Sequence, residues 1–293
     1  VRPALNLATK SSIIVCLQTQ NAAIIAILAA MDILLPKLCI VTGYYGVGKT
    51  NLSLNLATSA AARTPQLNGS STADEASVTL IDLDIINPYF RSSDYGEILQ
   101  QHGVELIAPT FARAGIEVPA LPAAINGGFD ALGTVIIDVG GDDAGATTLA
   151  RYRIDIERRL AATRTNSSAD SSSDDRADFA LWYVVNRNRS TDSCLQAAAA
   201  EAVTQLREIE AACKLQATGI INNTHLQGET TLADIHEGLT FGQSVAAAAE
   251  LPLIMSTIPA TLCADANGDP VLQDLLSSGQ LQPVELLVTT PWQ

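Results

Sequence analysis

The chain is poor in paired cysteines, in aromatic side chains and in positive charge, and each shortage removes a class of function. Its five cysteines, Cys16, Cys39, Cys194, Cys213 and Cys263, are odd in number, and no two form a Cys-x-x-Cys pair. That spacing argues against a disulfide framework, a zinc site or an iron–sulfur site, and it suits a reducing compartment. Cys39 lies in an apolar run and reads as a small core residue. Aromatics make up only 4% of the chain while hydrophobic residues reach 47%, so the core should be aliphatic. Lys and Arg number 17 against 31 Asp and Glu, a net charge of −14. Such a surface repels nucleic-acid backbones and anionic lipid unless cations cluster locally. The densest basic group, Arg151, Arg153, Arg158 and Arg159, is interrupted by Asp155 and Glu157 and reads as a solvated helix face. Neither nucleic acid nor a membrane is therefore expected as a partner.

At 293 residues the chain is long enough to bury a large core without staples. Residues 1–36 read as an N-terminal extension outside the main fold. Ser11 to Met31 is uncharged, but Gln18, Thr19, Gln20 and Asn21 interrupt it as a membrane span. Arg2 and Lys10 before the apolar run allow a signal peptide, the less favoured reading. The expectation is an extension ahead of Met31, or a loosely packed helix, on a cytoplasmic protein.

Residues 37–293 read as one domain of alternating strands and helices. Strands are predicted at Leu38 to Val41, Val78 to Leu83, Val104 to Ala108, Thr134 to Ile137, Phe179 to Val185, Ala217 to Ile221 and Leu253 to Ile258. Helices are predicted at Asn51 to Arg63 and Cys194 to Leu215. The second carries Leu195, Ala199, Ala202, Leu206, Ile209 and Cys213 on one stripe, which puts Cys213 in the core. Residues 163–178 are rich in Ser and Asp, cannot build a core, and are expected to be a disordered insertion. This order predicts an α/β fold: three layers, with a mainly parallel central sheet flanked by helices.

Gly43-Tyr44-Tyr45-Gly46-Val47-Gly48-Lys49-Thr50 fits G-x-x-x-x-G-K-[ST] without a mismatch, between an apolar strand and an amphipathic helix that opens at Asn51. Glycines let successive backbone N–H groups point at one anion, and the following helix adds its positive end. Lys49 can reach the outer phosphates, and the Thr50 hydroxyl can ligate Mg²⁺. This is the phosphate loop of a P-loop nucleoside triphosphatase.

Two strands end in acids. Asp82 and Asp84 follow Val78 to Ile81 and share one face of an extended chain; the alternative is a pair of solvated acids opening a turn before Asn87-Pro88. Asp138 ends Thr134 to Ile137 and is the candidate acid for holding Mg²⁺. Gly141 stands where a backbone N–H can meet a γ-phosphate. Asn222 and Asn223 end another strand. A carboxamide matches the adenine edge, though an ordinary turn residue fits as well. Asn186-Arg-Asn-Arg189 offers no acid for a guanine edge, which favours ATP over GTP.

The loop, Leu80-Ile-Asp-Leu-Asp84, Val135-Ile-Ile-Asp138 and Gly219-Ile-Ile-Asn-Asn223, in this order, resemble the MinD/ParA-type ATPases. That family groups with the CobQ/CobB-like proteins and the signal-recognition GTPases. The resemblance implies that Lys49 and Thr50 bind phosphate and Mg²⁺. It further implies that Asp84 positions the hydrolytic water, Asp82 supports the metal, Asp138 is the Walker B acid and Asn223 reads adenine. It also implies a homodimer that sandwiches ATP. There the chain departs: the family's signature lysine is here Tyr44. Gln282 to Gln293 contains no Lys or Arg, so the basic membrane-gripping helix is missing. The function implied is Mg-dependent ATP hydrolysis as a nucleotide switch acting on a protein partner that the sequence does not identify. The alternatives are an ATP-dependent ligase, amidase or small-molecule kinase, and a regulator that binds ATP without hydrolysing it.

Overall fold

Eight short, largely apolar segments among the described residues pair into one all-parallel sheet. The computed structural model describes residues 33–67, 77–84, 95–108, 120–131, 133–141, 143–166 and 178–288. Most of the N-terminal extension (1–32), most of the Ser/Asp-rich stretch (167–177) and Asp142 lie outside the described residues. The strands are β1 (Leu38–Gly43), β2 (Val78–Asp82), β3 (Val104–Ile107), β4 (Thr134–Asp138), β5 (Phe179–Val185), β6 (Gly219–Asn222), β7 (Leu253–Pro259) and β8 (Leu281–Val284). The helices are α1 (Lys49–Leu67), α2 (Gly96–Gln101), α3 (Ala120–Phe129), α4 (Asp143–Arg151), α5 (Arg153–Asn166), α6 (Leu195–Cys213), α7 (Leu232–Ala249), α8 (Cys263–Ala266) and α9 (Pro270–Ser277). The strands lie side by side in the order β3-β2-β4-β1-β5-β6-β7-β8, and helices cover both faces of the sheet, a three-layer α/β fold.

Alternation on each strand divides the core into two faces. Leu38 and Ile40 of β1, with Leu181, Tyr183 and Val185 of β5, pack under α3 to α7. Cys39 and Val41, with Ala180, Trp182 and Val184, pack under α1 and α2. Burial pushes the Cys39 thiol far above its ordinary range, so it stays a protonated core group. Cys213 is buried as the stripe on α6 predicts. Ile33 and Leu35 also pack against the second face, ahead of Lys37. Pro283 sits in β8, an edge strand, where a missing N–H breaks no ladder.

Two expectations change. Helix α1 was expected to bury one stripe, yet every residue from Asn51 to Ser59 is buried. The sheet covers one side, and the segment after β8 covers the other. There, Asn51 Nδ2 donates to Glu285 O at 2.9 Å, while its Oδ1 accepts the N–H groups of Leu287 (2.9 Å) and Val288 (3.1 Å). Asn55 accepts the Glu285 N–H (2.8 Å) and donates to Glu285 O (3.0 Å). Buried amides with full hydrogen bonding avoid the desolvation penalty that would otherwise exclude them. The second change is Arg159. It was assigned to a solvated face but is only 9% exposed. Its guanidinium donates to the carbonyls of Phe129 (3.0 Å), Lys37 (3.1 Å), Gly133 (2.6 Å) and Ala131. It ties the start of β1 to the turn between α3 and β4. The rest of the group behaves as expected on the surface, with Arg153 paired to Glu157 and Arg158 to Asp155.

Candidate nucleotide site

All strands run the same way, so their carboxyl ends share one edge, where α/β sheets hold ligands. Gly43 ends β1, and β4 lies beside it with Val41 opposite Asp138. Strand β2 comes next, with Asp82 opposite Asp138. The topology thus sets the loop and both acidic strand ends side by side.

Residues 43–48 turn from β1 into α1. Gly48 has φ +90°, a conformation that L side chains rarely adopt, and a Cβ there would stand 2.4 Å from Asn223 Nδ2. Lys49 begins α1 and its Nζ donates to Tyr44 O at 3.0 Å, which folds the ammonium back over the loop. Gly141 touches the same place: a Cβ on it would lie 2.6 Å from Lys49 Nζ and 2.7 Å from the Tyr45 nitrogen. Glycine is therefore required there by close approach, and the segment after β4 rests directly on the loop.

Asp138 is 1% exposed, and neither of its carboxylate oxygens makes a well-formed hydrogen bond among the described residues. Burial raises its pKa from 3.8 to about 6, with Asp84 adding to the rise. Lys49 and the adjoining Thr50 and Ser53 hydroxyls oppose it. The Thr42 hydroxyl is also buried, with no hydrogen-bond partner among the described residues. A buried carboxylate short of hydrogen bonds, next to a hydroxyl at the head of a phosphate loop, is a donor set that suits a hard dication. Among the described residues there is no cluster of three or more His, Cys, Asp or Glu that could cage a metal. Mg²⁺ needs none, because it keeps waters and binds phosphate oxygens. Asp138 and Thr50 are the residues that would hold it.

Asp82 is also buried, and its Oδ1 accepts the Asp84 N–H at 2.9 Å. That bond shapes the turn after β2 and delivers Asp84 close enough to Asp138 to perturb it.

The other flank of the loop is built from amides. Asn223 Nδ2 donates to Val47 O at 2.8 Å, and its Oδ1 accepts the Thr257 hydroxyl at 2.6 Å. One amide hydrogen is left over, together with the second lone pair of its oxygen. Arg189 Nε donates to Gly46 O at 2.9 Å. Loop amides that face an anion leave carbonyls pointing outward, and these two side chains hold them. Asn186 caps its own turn through the Asn188 N–H and donates to His225 O at 3.2 Å. Asn222 is bonded to Ser256 and Thr224. Of the expected nucleotide-binding positions, Asn51 points its side chain away, into the segment at 285–288, and retains only its backbone for a phosphate. Tyr44 and Tyr45 are exposed on the loop. Arg189, Thr257 and Asn55 were not anticipated. Nothing in the local sequence marks them, since each acts on a backbone or side chain far away along the chain.

No protein-family model and no curated protein matches the sequence. Among solved structures, the fold is similar to the signal recognition particle receptor FtsY from Elizabethkingia anophelis in complex with GDP, at 15% identity and a TM-score of 0.44 over 79% of this chain and 63% of that one. It is similar to FtsY from Mycoplasma mycoides at 15% identity and 0.43, over 78% and 61%. It is also similar to the 54 kDa signal recognition particle protein from Aeropyrum pernix in complex with GDP, at 15% identity and 0.42, over 86% and 51%. The chain thus spans 51–63% of the length of these three. All three belong to the signal-recognition branch rather than to MinD/ParA.

Proposed function

We propose that the chain binds and hydrolyses an Mg-bound purine nucleoside triphosphate and works as a nucleotide switch of MinD/ParA type, with ATP as its substrate. The observation that carries this reading is the Asp138 carboxylate: buried, short of donors, and beside Thr50 and Lys49. A buried carboxylate with so little hydrogen bonding is costly, and a bound cation would offset that cost.

In this reading the loop amides and Lys49 bind the phosphates. Thr50 and Asp138 hold the metal, which neutralises charge developing on the phosphoryl group. Asp84, delivered by Asp82, orients the attacking water. Gly141, resting on Lys49 and Tyr45, meets the γ-phosphate and shifts when it leaves. The ATP assignment rests on the lack of a carboxylate at the ends of β5 and β6, in Asn186-Arg-Asn-Arg189 and Asn222-Asn-Thr-His225.

Titration calorimetry with Mg-ATP and Mg-GTP tests the reading, paired with phosphate release. Lys49→Ala should abolish binding, and Asp84→Ala should bind but not turn over. Unchanged binding in the first variant, or full turnover in the second, removes those residues from the site.

A further inference from the structure

The histidine after the amide flank has no role in the scheme above, yet its surroundings are those of a ligand donor. His225 is 8% exposed. Its Nδ1 accepts the Gln227 N–H at 3.2 Å, which fixes the proton on Nε2. That Nε2–H is buried and has no hydrogen-bond partner among the described residues. The ring is held by its own backbone, since His225 O accepts Asn186 Nδ2 at 3.2 Å. It is aimed at the phosphate loop: Nε2 lies 3.9 Å from where a Cβ on residue 48 would stand, and Asn223 Nδ2 lies 2.4 Å from the same point. Two nitrogen donors therefore converge on the glycine just before Lys49. A buried N–H left unbonded forfeits its hydration with nothing in return. Burial, with Arg189 nearby, keeps the ring neutral through ordinary pH, so it carries one donor and no charge.

We propose that His225 contacts the bound nucleotide, its Nε2–H donating to an acceptor atom of a purine nucleoside triphosphate, either a ring nitrogen of the base or a phosphate oxygen. This rests on the nucleotide-site reading above and adds a residue to it. The donor adds affinity and, if the acceptor is N7 of the purine, selects purines over pyrimidines. It acts beside Asn223, which also has an N–H left to give.

The experiment is calorimetry on the full chain with Mg-ATP and Mg-7-deaza-ATP, which lacks the N7 acceptor. Wild type, His225→Ala, His225→Gln and His225→Phe are compared, with thermal melts reporting folding. His225→Ala and His225→Phe should each bind Mg-ATP about tenfold more weakly, the size of one hydrogen bond to a ligand. His225→Gln, which keeps an N–H donor, should recover most of the loss. If the acceptor is N7, wild type should bind 7-deaza-ATP about tenfold more weakly and the variants should lose nothing further. If it is a phosphate oxygen, the variants should lose equally for both nucleotides. Either pattern supports the assignment. Folded His225→Phe or His225→Ala protein that binds Mg-ATP as wild type does overturns it. Wild type that binds no purine triphosphate at all overturns instead the site reading on which it stands.

Discussion

The two flanks of the phosphate loop are built on opposite terms. On the β2–β4 side stand Asp82, Asp84 and Asp138, and neither carboxylate oxygen of Asp138 makes a well-formed hydrogen bond among the described residues, although the Thr50 and Ser53 hydroxyls adjoin it. On the β5–β7 side stand Asn186, Asn222, Asn223, Thr224 and Thr257, and their side chains bond to one another or to the backbone. The first flank is short of hydrogen bonds as protein, and in the proposed reading a cation completes it. The second is largely complete as protein and serves as a brace, with His225 Nε2 and Asn188 Nδ2 among its buried unbonded donors. Reactivity and rigidity are thus divided between the two sides of one short loop.

Substitutions on each side should separate these roles. The largest effect is expected at Asp138. Asp138→Asn keeps the shape but removes the charge, and Mg-dependent phosphate release should fall at least about 100-fold, measured over a magnesium titration. The same change on the amide side should act on stability first. Asn223→Ala leaves Val47 O and the Thr257 hydroxyl without a partner, and urea unfolding should show a loss of about 2–3 kcal/mol. A brace that proved dispensable would dissolve the contrast.

The flanks should also titrate in opposite directions. Asp138 has a folded pKa of about 6 against an ordinary 3.8, so the folded chain binds the extra proton between those values. Stability from this group is present at low pH and is lost as pH rises towards 6. His225 is lowered from 6.5 to about 4, so here the unfolded chain binds the extra proton. Its contribution is present above 6.5 and is lost as pH falls towards 4. Each is worth on the order of 2–3 kcal/mol, and in the metal-free, nucleotide-free protein they largely cancel. Asp138→Asn should leave a profile that rises with pH, and His225→Gln one that falls. Denaturation at pH 4.5 and 7 distinguishes them, and parallel profiles in the two variants would break the comparison. The smallest effect is expected at Asn51. Asn51→Ala should cost about 1 kcal/mol, with faster hydrogen exchange confined to residues 285–288.

The acid flank was legible in the sequence because its signals are local. A strand alternates, its last residue projects at the sheet edge, and a carboxylate there stands out against Val-Ile-Ile. The brace was only half legible. Asn223 could be singled out by its position after a strand, but its duty to Val47 across 176 residues could not. Arg159 looked solvated because its acceptors are backbone carbonyls of Lys37, Phe129, Ala131 and Gly133, which carry no sequence signature. Helix α7 had a readable start, with Thr231 and Asp234 forming a reciprocal cap, but its alanine-rich body hid the period. Strand β8 was missed because Gln282 and Pro283 interrupt any strand pattern, and only an edge position tolerates them.

The pair Asn51 and Asn55 grips backbone some 230 positions downstream, at Glu285, and Asn51 also reaches Leu287 and Val288. During synthesis the helix that carries Lys49 and Thr50 emerges early, but Asn51 and Asn55 cannot make their contacts to residues 285–288 until Val288 has left the ribosome. A contact of such long sequence range forms late in folding. Until then those side chains face solvent instead, and a nascent chain cut short before Glu285 would carry the whole phosphate loop without the clasp that seats it.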